Sequence, residues 1–117
     1  MIPLHLYEII KAVKGKIINY KPLLISRIST DSRAIKKGGL FIALKGEHFD
    51  GHNFINKAIS QGAAAIILSR TPKDIKGTKI PLLKVKNTLR ALGDIARYYR
   101  KQLSIPVIAI GGSNGKT

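Results

Sequence analysis

Apolar residues follow two rhythms along this chain. Leu6, Ile9, Ile10 and Val13 recur at three- and four-residue steps, with Pro3 ahead and Gly15 just past the last. That spacing predicts a short amphipathic helix. Elsewhere the apolar residues gather in short runs. "KIINY" and "LLISRIST" read as strands, "LFIAL" (Leu40 to Leu44) and "AAAIIL" as buried strands, and "IPLLKV" and "IPVIAI" as two more. The polar stretches "TDSRAIKKGG", "GEHFDGHN" and "SRTPKDIKGTK" read as loops and connectors. Asn53 stands where it can cap a helix in which Phe54, Ala58 and Ile59 share a face and Gly62 ends it. Asn87 stands likewise before a longer helix, whose stripe Leu89, Leu92, Ala96, Tyr99 and Leu103 reads as a core face. Strands alternating with helices predict an α/β fold, a small mixed or largely parallel sheet with flanking helices. No internal repeat or low-complexity segment breaks the pattern.

Composition narrows the picture. At 117 residues and 44% hydrophobic, the chain is long enough for one domain, or one domain and the start of another. It has no apolar run of about 18 residues and so no expected membrane span. The opening "MIPLHLYEIIKAVKGK" lacks the pattern of a signal peptide. With no cysteine, disulfides and thiolate metal sites are excluded, and a cytoplasmic location is expected. The net charge of +15 raises a rival reading, a nucleic-acid-binding module. That reading requires basic residues clustered on one face. Here they are spread from Lys11 to Lys101, and only 6% of residues are aromatic, so platforms for stacking bases are few. A joint excess of lysine and isoleucine is what an AT-rich genome writes into any protein, and no nucleic-acid partner is expected.

Candidate chemistry lies in three segments. The chain ends on an apolar run followed by "GGSNGKT", the layout of a phosphate-binding loop. Glycines let successive backbone N–H groups turn inward onto phosphate oxygens. Lys116 is placed to reach the β- and γ-phosphates and Thr117 to offer its hydroxyl to Mg²⁺. The strict G-x-x-x-x-G-K-S/T pattern fails, because Ile110 holds the place of its first glycine; the shorter G-x-x-G-K-T, Gly112 to Thr117, remains. The loop "STDSR" (Ser29 to Arg33) groups hydroxyls with a guanidinium, and "KGEHFDGHN" (Lys45 to Asn53) adds a lysine, two histidines and two carboxylates. From charge alone, Arg33 and Lys45 are candidates to neutralise a diphosphate, with Ser32 and backbone N–H groups filling in. His48 and His52 read as solvated or structurally hydrogen-bonded rather than as metal ligands, and Asp31 and Asp50 as turn caps. No nucleophile elbow supports a Ser-His-Asp hydrolase.

Taken in order, the D-S-R loop, G-L-F-I-A-L-K-G, D-G-H-N-F, G-A-A-A and G-S-N-G-K-T resemble the Mur ligase family of peptidoglycan synthesis over nearly the whole chain. The resemblance implies a UDP-substrate-binding N-terminal domain over 1–86, a linker helix over 87–104, and over 105–117 the first strand and phosphate loop of an ATP-binding central domain. It implies that Thr30 and Ser32 in the first loop, and Glu47, His48 and Phe49 in the second, contact uridine diphosphate. It also implies that Gly112, Ser113, Asn114, Gly115, Lys116 and Thr117 bind ATP, with Thr117 on Mg²⁺. "ALKGEHFDGHNF" and "GSNGKT" are most similar to the branch that joins D-alanyl-D-alanine to UDP-N-acetylmuramoyl-tripeptide; the branch adding the third amino acid is the alternative. In such ligases ATP phosphorylates the peptide's terminal carboxylate, and the incoming amine attacks the acyl phosphate to give the amide, ADP and phosphate. One departure is Gly111, where the family usually has threonine. Because the family's ATPase and C-terminal domains lie beyond Thr117, the chain is expected to be the N-terminal part of a longer ligase. On that reading it is a monomer that holds the UDP moiety, has no complete catalytic set of its own, and retains ATP and Mg²⁺ weakly or not at all. A fold that has lost its ligand and serves only in protein interaction is a further alternative.

Overall fold

A computed structural model describes residues 2–73, 75 and 78–111, the side chains of 103–111 excepted. In chain order the elements are β1 (Leu4–His5), α1 (Leu6–Val13), β2 (Lys16–Ile18), β3 (Leu24–Ile25), β4 (Ile28–Ser29), β5 (Leu40–Ile42), a 3-10 turn (Gly51–Phe54), α2 (Ile55–Ser60), β6 (Ala65–Leu68), β7 (Leu82–Lys84) and α3 (Thr88–Gly111). Five strands form one sheet in the order β2-β7-β6-β5-β4. Strands β4 to β7 run parallel and β2 pairs antiparallel with β7, while β1 and β3 form a separate antiparallel pair. The mixed α/β architecture with a mostly parallel sheet is the one the alternating pattern predicts.

The central strands are unbroken apolar runs because both faces of the sheet are covered. Successive residues point to opposite sides. On one side Leu40, Ile42, Ala65, Ile67 and Leu83 pack against Leu6 and Ile9 of α1 and Ala91 and Ile95 of α3. On the other, Phe41, Ala43, Ile66, Leu68 and Leu82 pack against Ile55 and Ala58 of α2. The α1 segment forms where the spacing predicts it, with the Glu8 carboxylate accepting the His5 backbone N–H at 2.8 Å. Its left-handed closing residue is Lys14, at φ 56°, rather than Gly15. Gly15 is needed for a different reason: a Cβ there would lie 2.7 Å from the Leu83 side chain and 2.8 Å from the Lys84 carbonyl oxygen.

Four expectations change. "IPVIAI" is not a strand, because α3 runs on through it to Gly111. Six apolar residues suit either state. A strand needs a neighbour for its backbone groups, and among the described residues none lies alongside. A helix satisfies its own backbone groups, even with Pro106 removing one donor. Asn53 is not the cap of the second helical segment. Asp50 is, its side chain accepting the His52 backbone N–H, and a 3-10 turn precedes α2. Phe54 does not join Ala58 in the core, where Ile55 takes that place; Phe54 is exposed. The stripe on α3 is also rotated. Ala91 and Ile95 are buried, with Leu92, Tyr98 and Tyr99 packed beside them, whereas Leu89 and Ala96 face outward. Asn87 does cap α3, its Oδ1 accepting the Arg90 N–H at 3.0 Å. No helix among the described residues is long and apolar enough to cross a membrane.

Candidate functional site

Because β4 to β7 point the same way, the segments leaving their carboxyl ends open on one edge of the sheet. Thr30 to Arg33 leave β4, Lys45 to Asp50 follow β5, and Ser69 and Arg70 leave β6. In parallel α/β sheets this is the edge where ligands bind.

In the first loop, Asp31 folds the backbone on itself. Its carboxylate accepts the Arg33 backbone N–H at 2.9 Å, and the Ser29 hydroxyl accepts the Asp31 N–H at 3.0 Å. Asp31 also holds the Arg33 guanidinium through two contacts of 3.2 and 3.1 Å. Those hydrogen bonds from Arg33, side chain first, keep the Asp31 carboxyl below the usual carboxylate range. Arg33 is therefore already partnered, though its side chain is exposed to solvent. Ser32 is only 5% exposed and Thr30 is half-buried. No hydrogen-bond partner for either hydroxyl lies among the described residues. A buried hydroxyl without a partner carries a desolvation cost of about 1–3 kcal/mol.

The second loop is a tight excursion. Lys45 and Asp50 pair across its base, and the Gly46 N–H donates to the Phe49 carbonyl at 2.6 Å. The tip, Gly46 to Phe49, is exposed, so Glu47, His48 and Phe49 stand in solvent with Lys45 beside them. Phe49 stacks on Phe54, the ring centroids 5.4 Å apart and the planes 10° from parallel. Gly51 turns the chain back against β5; a Cβ there would come within 2.9 Å of the Leu44 backbone nitrogen.

Behind the tip sits a cluster that the sequence does not mark as part of the site. His52 is 3% exposed. Its Nδ1 lies 2.7 Å from Asp50 Oδ1, and its Nε2 accepts the Ser69 backbone N–H at 2.9 Å, with Ser69 Oγ at 3.1 Å. A backbone N–H can only donate, so Nε2 is unprotonated and the ring proton is on Nδ1, directed at Asp50. Arg70 reaches the other carboxylate oxygen, Oδ2, at 2.5 Å. Burial by itself raises the Asp50 carboxyl pKa; the hydrogen bonds from the His52 backbone, Arg70 and the His52 ring outweigh it and hold the group well below the usual carboxylate range. The order Asp50–His52–Ser69 has the connectivity of a catalytic triad but not its function. The Nε2 lone pair already receives a backbone proton and the ring is closed off from solvent, so it cannot take the Ser69 proton. The D-x-H spacing was the available signal for this cluster, and Ser69 carries none. Phe54, too, is a site neighbour that periodicity assigned to the core.

Both ring nitrogens of His52 are engaged with protein atoms, in line with a structural histidine. Among the described residues no group of three or more His, Asp or Glu comes together to hold a metal. The phosphate-loop residues Gly112, Ser113, Asn114, Gly115, Lys116 and Thr117 lie outside the described residues. An open cleft of about 510 Å³, lined by Lys14, Lys86, Asn87, Arg90 and Asp94 among others, lies between the end of α1 and the start of α3.

Comparison with known proteins agrees with this architecture. The family described as "Mur ligase family, catalytic domain" matches residues 24–100, more than half of the chain. UDP-N-acetylmuramoyl-tripeptide–D-alanyl-D-alanine ligase of Haemophilus influenzae is 36% identical over 117 residues, covering all of this chain and 25% of that protein. UDP-N-acetylmuramoyl-L-alanyl-D-glutamate–2,6-diaminopimelate ligase of Bacillus cereus is 43% identical over 95 residues, covering 80% of this chain and 18% of that protein. A crystal structure of MurF from Acinetobacter baumannii superposes with a TM-score of 0.75 at 36% identity, covering 86% of this chain and 22% of that one. The chain thus spans about a quarter or less of the length of the relatives it matches. On the family match, the identities and the shared architecture, this chain belongs to the Mur ligase family.

Proposed function

We propose that this chain holds the uridine diphosphate end of a UDP-N-acetylmuramoyl-peptide at the carboxyl edge of its sheet, as the substrate-binding part of an ATP-dependent amide ligase of peptidoglycan precursor synthesis. One observation carries the reading: Ser32, in the loop leaving β4, is buried, and its hydroxyl has no hydrogen-bond partner among the described residues. A ligand oxygen or N–H at that point would supply the missing hydrogen bond. Thr30 offers a second hydroxyl from the same loop, and Lys45, next to the exposed tip Glu47–His48–Phe49, offers positive charge for a diphosphate. The stacked, half-exposed pair Phe49 and Phe54 presents an apolar ring surface beside them, suited to a flat base. Arg33 is the poorest of these candidates, since binding a phosphate requires it to share or leave Asp31.

The peptide is a tripeptide and the added group D-alanyl-D-alanine; the likeness to the Haemophilus influenzae ligase along the whole chain supports this. A second reading, addition of diaminopimelate to a dipeptide, draws on the Bacillus cereus relative at 43% identity. ATP and Mg²⁺ belong to the segment Gly112 to Thr117, where Lys116 would meet phosphates and Thr117 the metal; the metal supplies charge neutralisation to the phosphates. The division into 1–86, 87–104 and 105–117 is part of the same proposal, as is a monomer in the cytoplasm. The 117 residues taken alone hold nucleotide sugar without turning over ATP.

Calorimetric titration with UDP and with the UDP-N-acetylmuramoyl di- and tripeptides tests the binding. Saturable heat with UDP, weakened about tenfold by Ser32→Ala, is expected for one lost hydrogen bond to a charged ligand. No heat with any of the three overturns the reading, and a preference for the dipeptide form moves it to the second. Phosphate release by the 117-residue chain that depends on D-alanyl-D-alanine would overturn the claim that it does not turn over ATP.

A further inference from the structure

We propose that the Asp50–His52–Ser69 relay, with the buried His52 ring at its centre, is a positioning device: it fixes the loop Lys45 to Asp50 against the end of β6 and so sets the tip Glu47–His48–Phe49 for the nucleotide. The inference rests on the reading above for what the tip binds, but its physical content does not. Glu47 and His48 are exposed, and the loop's own ties are local: the Lys45–Asp50 pairing, the Gly46-to-Phe49 hydrogen bond, the Phe49–Phe54 stack and the Gly51 N–H donating to the Leu44 carbonyl at 2.6 Å all lie within residues 44–54. The tie to a distant strand comes from its C-terminal root. Asp50 is the last residue of the loop, and its carboxylate binds the His52 N–H, the His52 ring and Arg70. His52 then passes the constraint seventeen residues on, to the Ser69 backbone at the carboxyl end of β6. That end is part of the sheet core, whose last member, Leu68, is buried.

The chemistry of the relay is directional. Asp50 accepts, Nδ1 donates to it, and Nε2 accepts from Ser69. Only a side chain with a donor and an acceptor in this order fits. Glutamine meets that requirement, with its amide N–H toward Asp50 and its carbonyl toward Ser69. Leucine fills similar volume and meets neither end. The pair His52→Gln and His52→Leu therefore separates the relay's hydrogen bonding from simple packing. Arg70→Ala, at an exposed side chain, loosens the same carboxylate without opening the core.

The experiment uses the whole chain. ¹⁵N–¹H spectra read the His52 tautomer and the amide signals and exchange rates of Gly46 to Phe49, with Ala65 to Leu68 as the internal control; titration with UDP reads the consequence. Expected are a neutral ring protonated on Nδ1 and, in His52→Leu, shifted and faster-exchanging tip amides while the β6 amides keep their positions. The UDP dissociation constant is expected to rise about tenfold or more in His52→Leu, as a displacement of a binding group by about 1 Å produces. In His52→Gln it should stay within about threefold, with Arg70→Ala in between. If His52→Leu folds with unchanged tip amides, or if Nε2 carries the proton, the relay does not position the loop and the inference is overturned. If His52→Leu does not fold, the decision passes to His52→Gln and Arg70→Ala: tip amides unmoved in Arg70→Ala, or displaced in His52→Gln as far as for an unrelated residue, overturn it. Failure of the wild-type chain to bind UDP removes the reading of the tip as a nucleotide contact, and the amide signals still decide the relay.

Discussion

Asp50 carries three hydrogen bonds on one carboxylate, from the His52 backbone, the His52 ring and Arg70, and its side chain is 17% exposed. Its pKa in the folded chain is depressed below the unfolded value. The stability it contributes is therefore present above the ordinary carboxylate range and is lost as pH falls through that range toward the folded value. Asp50→Asn should lower Tm at neutral pH, by a loss of about 1–2 kcal/mol, because the amide loses the charge that accepts from the half-exposed Arg70 and from the His52 ring. The gap between wild type and variant should narrow below about pH 4, where the wild-type carboxyl begins to protonate in the unfolded chain. Thermal melts of both proteins across pH measure it. Ser32 makes the opposite prediction. It is buried and its hydroxyl has no partner among the described residues, so Ser32→Ala should leave Tm unchanged or slightly raised while weakening nucleotide binding. A fall in Tm of several degrees would mean that the hydroxyl has a structural partner.

The strands and helices show which of these features the sequence could announce. Buried strands at "LFIAL" and "AAAIIL", the spacing of α1 and the Asn87 cap all follow from short-range pattern, because each is decided within a few residues. Distance in the chain defeats the rest. Asp50 outcompetes Asn53 as a cap because a 3-10 turn opens before α2. The stripe on α3 is rotated because its real partners are α1 and the sheet, so Ala91 and Ile95 count for more than the larger Leu89. Of the candidate site, the two polar loops stand out locally, and the resemblance is what proposes Thr30, Ser32 and the tip within them; the tie between His52 and Ser69, strands apart, has no local signal. One costly pairing is also visible only in register: Lys16 stands opposite Lys84 in the antiparallel pair of β2 and β7. Lys84→Glu should stabilise the chain by about 0.5 kcal/mol, a gain that shrinks in high salt, as denaturant titration at two ionic strengths would show.

At the scale of the molecule, charge is spread rather than focused. The cleft between α1 and α3 collects Lys14, Lys86 and Arg90 beside Asp94, the first loop holds Arg33 paired to Asp31, and the second holds Lys45, so basic side chains come from several elements rather than one. Binding of a nucleotide diphosphate should accordingly weaken as salt is raised, while duplex DNA at moderate salt should bind poorly because the basic residues are spread along the sequence and few aromatic residues accompany them. A gel shift and a UDP titration at two salt concentrations separate the two behaviours; DNA binding that survives moderate salt would favour a nucleic-acid role.

The last helix closes the molecule onto its beginning. The Tyr98 hydroxyl donates to Glu8 at 2.7 Å across a separation of 90 residues, and the Ile2 N–H donates to Tyr99 at the same distance. Leu6 and Ile9 share their buried cluster with Ala91 and Ile95. As the polypeptide emerges during synthesis, the first helix therefore lacks its α3 partners, its oily side incompletely covered, until the chain has grown by the 90 residues that separate Glu8 from Tyr98. Only then can the N-terminus settle into place.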